Sequence, residues 1–205
     1  PEMIFDLQEM TILDKAIPKA AALIEALEYI QRFRNKRVVV KIGGTLMDNR
    51  QAENSILIDL VFMSTVGIRP ILVHGGGKEI SEAVKEAGLE TRFVKGRRYT
   101  DHRTLSIAEH VLCNQVNARL VNFLNDKQAN AMGLHSLSSC VLSGQRAFLE
   151  EGDRRIDLGY VGQVTSVNAE LLNVLCDAGT ITVIAPLARD KAGGKLNVNA
   201  DEVAA

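Results

Sequence analysis

The sequence predicts an α/β fold, a three-layer αβα sandwich around a mainly parallel central sheet. Two observations carry this expectation. Residues 37–42 and 70–73 are aliphatic and β-branched without alternation, the composition of strands buried on both faces. Each run ends in glycines, Gly43-Gly44 and Gly75-Gly76-Gly77, and each is followed by a segment of helical period. Strand, glycine turn and helix in succession describe a βαβα unit with a right-handed crossover.

The elements follow in order. Ahead of the first strand, residues 14–34 place Ala20, Leu23, Leu27 and Ile30 three or four apart, which predicts an amphipathic helix outside the βαβ core. An apolar stripe in that position calls for a partner surface. A helix over 53–65 stops at Gly67, the strand 70–73 follows, and a helix over 79–87 ends at Gly88, a C-terminal glycine. Residues 89–100 are basic and broken by Gly96, so they read as a hairpin at the edge of the domain. A long helix then carries Leu105, Ala108, Leu112, Val116, Leu120 and Leu124 along one stripe. Short strands are expected at 129–134, 147–149 and 160–164, a helix at 167–178 and a second buried strand at 181–186. Residues 197–205 read as a helix just starting, and a chain that stops there is expected to be incomplete.

Composition narrows the function classes. With 24 Lys+Arg against 25 Asp+Glu, a formal charge of −1, there is no bulk attraction to nucleic acid or anionic lipid, so any anion site is local. Cys113, Cys140 and Cys176 are scattered without C-x-x-C spacing, which suits a reducing compartment. No apolar stretch approaches the ~20 residues of a bilayer span, and the first residues lack the regions of a signal peptide. The expected location is the cytoplasm. No repeat or low-complexity linker divides the chain.

The two strand-to-glycine junctions are the most informative features. Lys41 stands at the carboxyl end of its strand beside Gly43-Gly44, and His74-Gly75-Gly76-Gly77 repeats the device on what should be an adjacent strand. Ligands of open α/β sheets sit at such ends, and glycines let backbone N–H groups approach an anion. Side by side, the turns would form a phosphate cradle; alternatively the glycines only permit tight βα turns. Neither turn is a Walker A loop, since Gly77-Lys78 is followed by Glu79 and Leu72 stands where the leading glycine belongs. Ile80 likewise breaks the dinucleotide fingerprint.

Arg92, Lys95, Arg97, Arg98 and Arg103 surround a single acid, Asp101. Most of such a run is a solvated hairpin, but one arginine, with Arg98 the candidate, could clamp a carboxylate in bidentate fashion. Asn197, Asn199 and Asp201 exceed the need of one helix cap, so a ligand role stands beside N-capping. His74, His102, His110 and His135 have no metal-ligand spacing, and no histidine is assigned to catalysis. No G-x-S-x-G elbow, H-E-x-x-H helix or Cys/His dyad is evident.

The segments Val39-Val40-Lys41-Ile42-Gly43-Gly44, Ile71-Leu72-Val73-His74-Gly75-Gly76-Gly77, Gly96-Arg97-Arg98-Tyr99-Thr100-Asp101, Gly159-Tyr160-Val161-Gly162, Val183-Ile184-Ala185-Pro186 and Asn197-Val198-Asn199-Ala200-Asp201, in this order, resemble the amino-acid kinase family. The resemblance implies ATP-dependent phosphorylation, accompanied by Mg²⁺, of the side-chain carboxylate of N-acetyl-L-glutamate, in arginine biosynthesis. It implies catalytic roles for Lys41 and Asp201, phosphate contacts at Gly43, Gly44, Gly75 and Gly76, and acceptor contacts at Gly76, Gly77, Arg98 and Asn197. No metal ligand is assigned. Residues 1–35 resemble the N-terminal helical extension of the arginine-inhibited, hexameric branch, which implies a homo-oligomer with arginine as an inhibitor. Residues 36–205 resemble the acceptor-binding part, with the nucleotide-binding remainder absent. Lys78, Tyr99 and the stretch 133–140 depart from the family pattern. The rival readings are a kinase of the same fold acting on carbamate, aspartate, glutamate or UMP, and a non-catalytic acceptor-binding or oligomerisation module. Neither nucleic acid nor membrane is expected as a partner.

Overall fold

The computed structural model describes residues 7–135, 141–152 and 154–205. Part of the divergent stretch noted above, residues 136–140 with Cys140, lies outside the described residues. Helix α1, Leu7–Phe33, extends further toward the N-terminus than its apolar spacing predicts and leads into strand β1, Arg37–Ile42. Along its described face, Leu23, Ile24 and Leu27 are 67%, 70% and 48% exposed. Helix α2, Thr45–Asp48, follows the first glycine turn, and α3, Arg50–Thr65, starts at Asn49, whose side chain accepts from the Gln51 and Ala52 amides. Strand β2, Arg69–His74, then enters the second glycine turn and α4, Gly77–Glu86.

The basic segment forms the predicted hairpin, β3 (Phe93–Val94) and β4 (Arg97–Arg98). Its two-residue turn, Lys95-Gly96, has positive φ at both positions, 49° and 77°, the backbone twist that suits a tight hairpin. The long helix is present with an irregular centre: α5, His102–Glu109, passes into a π-helical segment, His110–Asn117, and then α6, Ala118–Asp126. The predicted stripe of Leu105, Ala108, Leu112, Val116, Leu120 and Leu124 is buried throughout.

Strand β5, Ala131–Leu134, is followed by a long antiparallel hairpin, β6 (Leu142–Glu151) and β7 (Arg154–Val167). The two short strands expected at 147–149 and 160–164 are the middles of these longer ones. Register shifts at Ser143/Gly144 and Arg146/Phe148 break the alternation that would have revealed their length. Helix α7, Ala169–Asp177, strand β8, Ile181–Ile184, strands β9, Leu187–Arg189, and β10, Lys195–Asn197, and helix α8, Ala200–Ala204, complete the chain.

Four parallel strands make the central sheet in the order β1-β2-β8-β5. Alternation along β2 separates two cores: Leu72 faces α3, α4 and the long helix with Leu57, Val84 and Leu112, while Ile71 and Val73 face α7 with Leu172 and Cys176. This is the expected αβα sandwich. Beside it β10, β7, β6 and β9 close into a small barrel. A Cβ added to Gly162 would lie 2.7 Å from that of Leu196, so the barrel interior is filled to the backbone. Among the described residues, no helix is long and apolar enough to cross a membrane.

Candidate active site

Pairing of β1 with β2 sets Ile42 opposite His74, so both glycine turns emerge at the same end of the sheet. They touch. The Gly75 amide donates to the Ile42 carbonyl at 2.8 Å, and a Cβ on Gly75 would sit 3.4 Å from the Gly43 Cα. A Cβ on Gly43 would lie 3.0 Å from the Lys41 Nζ, so glycine here keeps the approach to the ammonium clear. Lys41 Nζ pairs with Asp201 Oδ1 at 2.8 Å.

Gly44 and Gly76 cap α2 and α4 without any side-chain hydrogen bond, whereas Asn49, Asp101, Asn168 and Asn199 cap α3, α5, α7 and α8 through their side chains. At the glycine turns the first helical amides therefore have no capping side chain. Asp48 and Lys78, one from each turn's helix, pair at 3.2 Å and line a second small cavity together with Gly44, Gly76 and Gly77.

A cleft of about 290 Å³ opens beside the second turn. Gly75, Gly76 and Gly77 form one wall, Arg98 of the hairpin another, and Asn197 and Asp201 close it from the barrel and α8. Arg98 reaches across from β4: Nη2 donates to the Gly77 carbonyl at 2.7 Å and to Ser81 Oγ at 2.6 Å, while Nη1 donates to Thr91 Oγ1 at 3.3 Å. Its guanidinium also stacks 4.9 Å over the Phe93 ring. Burial lowers the Arg98 pKa from its ordinary value.

Asn197 is anchored loosely, its Nδ2 3.4 Å from Thr100 Oγ1. Thr100 in turn joins hairpin to barrel, with its amide donating to the Leu158 carbonyl and its carbonyl accepting from the Tyr160 amide. The three polar residues near the end of the chain thus separate by task. Asn199 caps α8, accepting from the Asp201 and Glu202 amides; Asp201 holds Lys41; Asn197 lines the cleft. Glu202, which the sequence did not single out, fastens α8 to the barrel by accepting from the Val164 amide at 2.8 Å.

All the residues expected at the site lie at this end of the sheet. Lys41 pairs with Asp201 beside Gly43, Gly44 lines the second cavity, and Gly75, Gly76, Gly77, Arg98, Asn197 and Asp201 surround the cleft. Among the described residues, no group of three or more His, Cys, Asp or Glu side chains is placed to hold a metal ion.

The fold and the placement of these residues define an α/β domain whose two glycine turns, Lys41 and Arg98 gather at one end of a parallel sheet. The chain belongs to the amino acid kinase family, whose model matches residues 36–205. It is 40% identical over 193 residues to an acetylglutamate kinase from Caldicellulosiruptor saccharolyticus, covering 94% of this chain and 66% of that relative. It is 39% identical over 197 residues to the acetylglutamate kinase of Carboxydothermus hydrogenoformans, covering 94% of this chain and 67% of that one. The chain thus spans about two thirds of the length of the curated relatives it matches. Among solved structures, N-acetylglutamate synthase from Neisseria gonorrhoeae, complexed with coenzyme A and N-acetyl-glutamate, shares the fold. Its TM-score is 0.77 at 24% identity, over 90% of this chain and 41% of that one.

Proposed function

We propose that the intact polypeptide transfers the γ-phosphoryl group of ATP to the side-chain carboxylate of N-acetyl-L-glutamate, as a step of arginine biosynthesis. The observation that carries this reading is the convergence of both glycine turns, the Lys41–Asp201 pair, Arg98 and Asn197 at one end of the sheet. The names of the relatives support it. A carboxylate at neutral pH is already ionised, so the transfer requires no general base. Catalysis then rests on alignment and charge stabilisation.

In this reading Lys41 and the glycine-turn amides neutralise charge on the phosphoryl oxygens. Asp201 keeps the ammonium aimed, and Arg98 and Asn197 fix the acceptor. Of the five N–H donors of Arg98, three are engaged with Gly77, Ser81 and Thr91, which hold the fork at the cleft wall. Mg²⁺ accompanies the nucleotide and offsets phosphate charge. Residues 36–205 serve as the acceptor-binding part and residues 1–35 as an extension for homo-oligomerisation, with arginine as an inhibitor; the exposed Leu23, Ile24 and Leu27 of α1 support the oligomer.

The test is an ADP-release assay on the intact polypeptide with N-acetyl-L-glutamate, carbamate, aspartate, glutamate and UMP. Turnover confined to N-acetyl-L-glutamate is expected, and preference for another acceptor overturns the assignment. Calorimetric binding of N-acetyl-L-glutamate without ATP binding would instead make this a non-catalytic module. Arg98→Lys should chiefly raise KM for the acetylated substrate, because lysine lacks the planar fork.

A further inference from the structure

The second glycine turn is gripped from beneath by two side chains that the chemistry above does not use. His74, the last residue of β2, and Asn117, the last of the π-helical segment, are buried, 0% and 1% exposed. His74 Nδ1 lies 2.7 Å from the Gly75 carbonyl oxygen. A carbonyl only accepts, so the ring proton sits on Nδ1 and Nε2 bears the lone pair. Asn117 Nδ2 donates to that Nε2 at 3.1 Å and to the Val183 carbonyl at 2.9 Å. One neutral tautomer therefore satisfies both ring nitrogens. Burial pushes the His74 pKa down to about 4; Arg119 on α6 and His135 after β5 push the same way, and the bond to Gly75 opposes them.

The consequence falls on the next peptide. In a planar trans peptide the carbonyl of one residue and the N–H of the next point in opposite directions. Holding the Gly75 carbonyl against the buried imidazole turns the Gly76 N–H outward, at a residue that lines the cleft. The same π-helical segment closes the other side of the turn, since a Cβ on Gly76 would meet Leu112 Cδ2 at 2.6 Å. π-Helical irregularities concentrate at functional sites, and here one brings Leu112 and Asn117 onto a single turn.

We infer that His74 and Asn117 form a positioning pair that aims the Gly76 amide at the transferred phosphoryl group. Their function rests on the phosphoryl-transfer reading above, while their geometry does not. His74→Gln reaches the Nε2 position and keeps Asn117 company, but releases the Gly75 carbonyl. His74→Asn places an amide near the Nδ1 position and retains that grip. In the intact polypeptide, His74→Gln should lower kcat by about 10-fold to 10²-fold, with KM for N-acetyl-L-glutamate little changed. His74→Asn should restore most of kcat even though it folds less stably.

Equal loss of kcat in both variants, or wild-type kcat in His74→Gln, overturns the inference. A second readout needs neither variant nor turnover. Long-range ¹H–¹⁵N spectra of the wild-type intact polypeptide should show His74 as the Nδ1-protonated neutral tautomer down to about pH 5; an Nε2-protonated or titrating ring overturns the pair. Should wild type lack kinase turnover while its ring is Nδ1-protonated, the proposed reaction fails and the geometric pairing stands.

Discussion

In the parallel sheet the strand ends beside the cleft are secured by buried polar side chains, with Asn117 tying β2 to β8 through His74 and the Val183 carbonyl. In the barrel they are secured by the lack of side chains. Gly162 leaves room for Leu196 and Val198, and Gly144 lies against the Gln163 carbonyl and Ala188. Asn197 stands on the barrel side of the cleft and Gly75 to Gly77 on the sheet side. The difference teaches that one site can be fixed by directional bonds on one flank and by steric fit on the other. The flanks should therefore fail differently: the sheet through chemistry with the fold intact, the barrel through stability first.

The largest effect is expected on the sheet side. Lys41→Ala in the intact polypeptide should lower kcat by about 10²-fold or more, the loss of one preorganised charge contact, while the denaturation midpoint barely moves. Unchanged turnover would break the comparison at its strongest point. Gly162→Ala should do the reverse, because its Cβ would stand 2.7 Å from the Leu196 Cβ and 3.1 Å from Val198 Cγ1. Overpacking of this kind costs about 1–3 kcal/mol, read by urea unfolding, and the displaced β10 should raise the acceptor KM more than it lowers kcat.

Asp101, where hairpin meets α5, sharpens the contrast. It caps α5 by accepting from the Thr104 amide at 2.7 Å, so Asp101→Ala should cost about 1 kcal/mol at neutral pH. Hydrogen bonds from the Thr104 amide and then its side chain hold this carboxyl below the usual carboxylate range. A depressed folded-state pKa gives stability that is present above the unfolded value and lost as pH falls through the folded one. The gap between wild type and variant should consequently narrow in acid; a gap independent of pH would count against the cap. The smallest effect belongs to the far end of the sheet, where Arg37 and Asp177 pair at 2.8 Å in an exposed setting. Asp177→Ala should shift stability by less than about 0.5 kcal/mol, less still at high salt.

How much of this was legible depended on whether the signal was local. Strands buried on both faces announce themselves as aliphatic runs, and so β1, β2 and β8 lie where the sequence puts them. Gly96 marks its own hairpin, and Arg98, singled out beside it as a carboxylate clamp, lines the cleft. The β6–β7 hairpin was not legible at full length. Its outer part carries Glu150, Glu151, Arg154 and Arg155, paired across the strands, and the bulges interrupt its period. The π-helical segment hid for another reason: a stripe at spacings of three and four looks the same whether one stretch bonds at i+4 or i+5. The link from His74 to Asn117 spans 43 positions with no local mark. His74 is read for metal spacing and as the head of the glycine motif, and neither reading points to a partner that far along the chain.

Strand β1 leaves one more mark on the protein's behaviour. Among the described residues it has a single strand neighbour, β2, and along it Val39 stays 47% exposed. Its far edge offers a row of backbone donors and acceptors beside Val38, Val39 and Val40, the kind of strip to which any extended polypeptide will stick. A strand of another polypeptide added to these 205 residues would find its ladder partners along that edge, on the side away from β2.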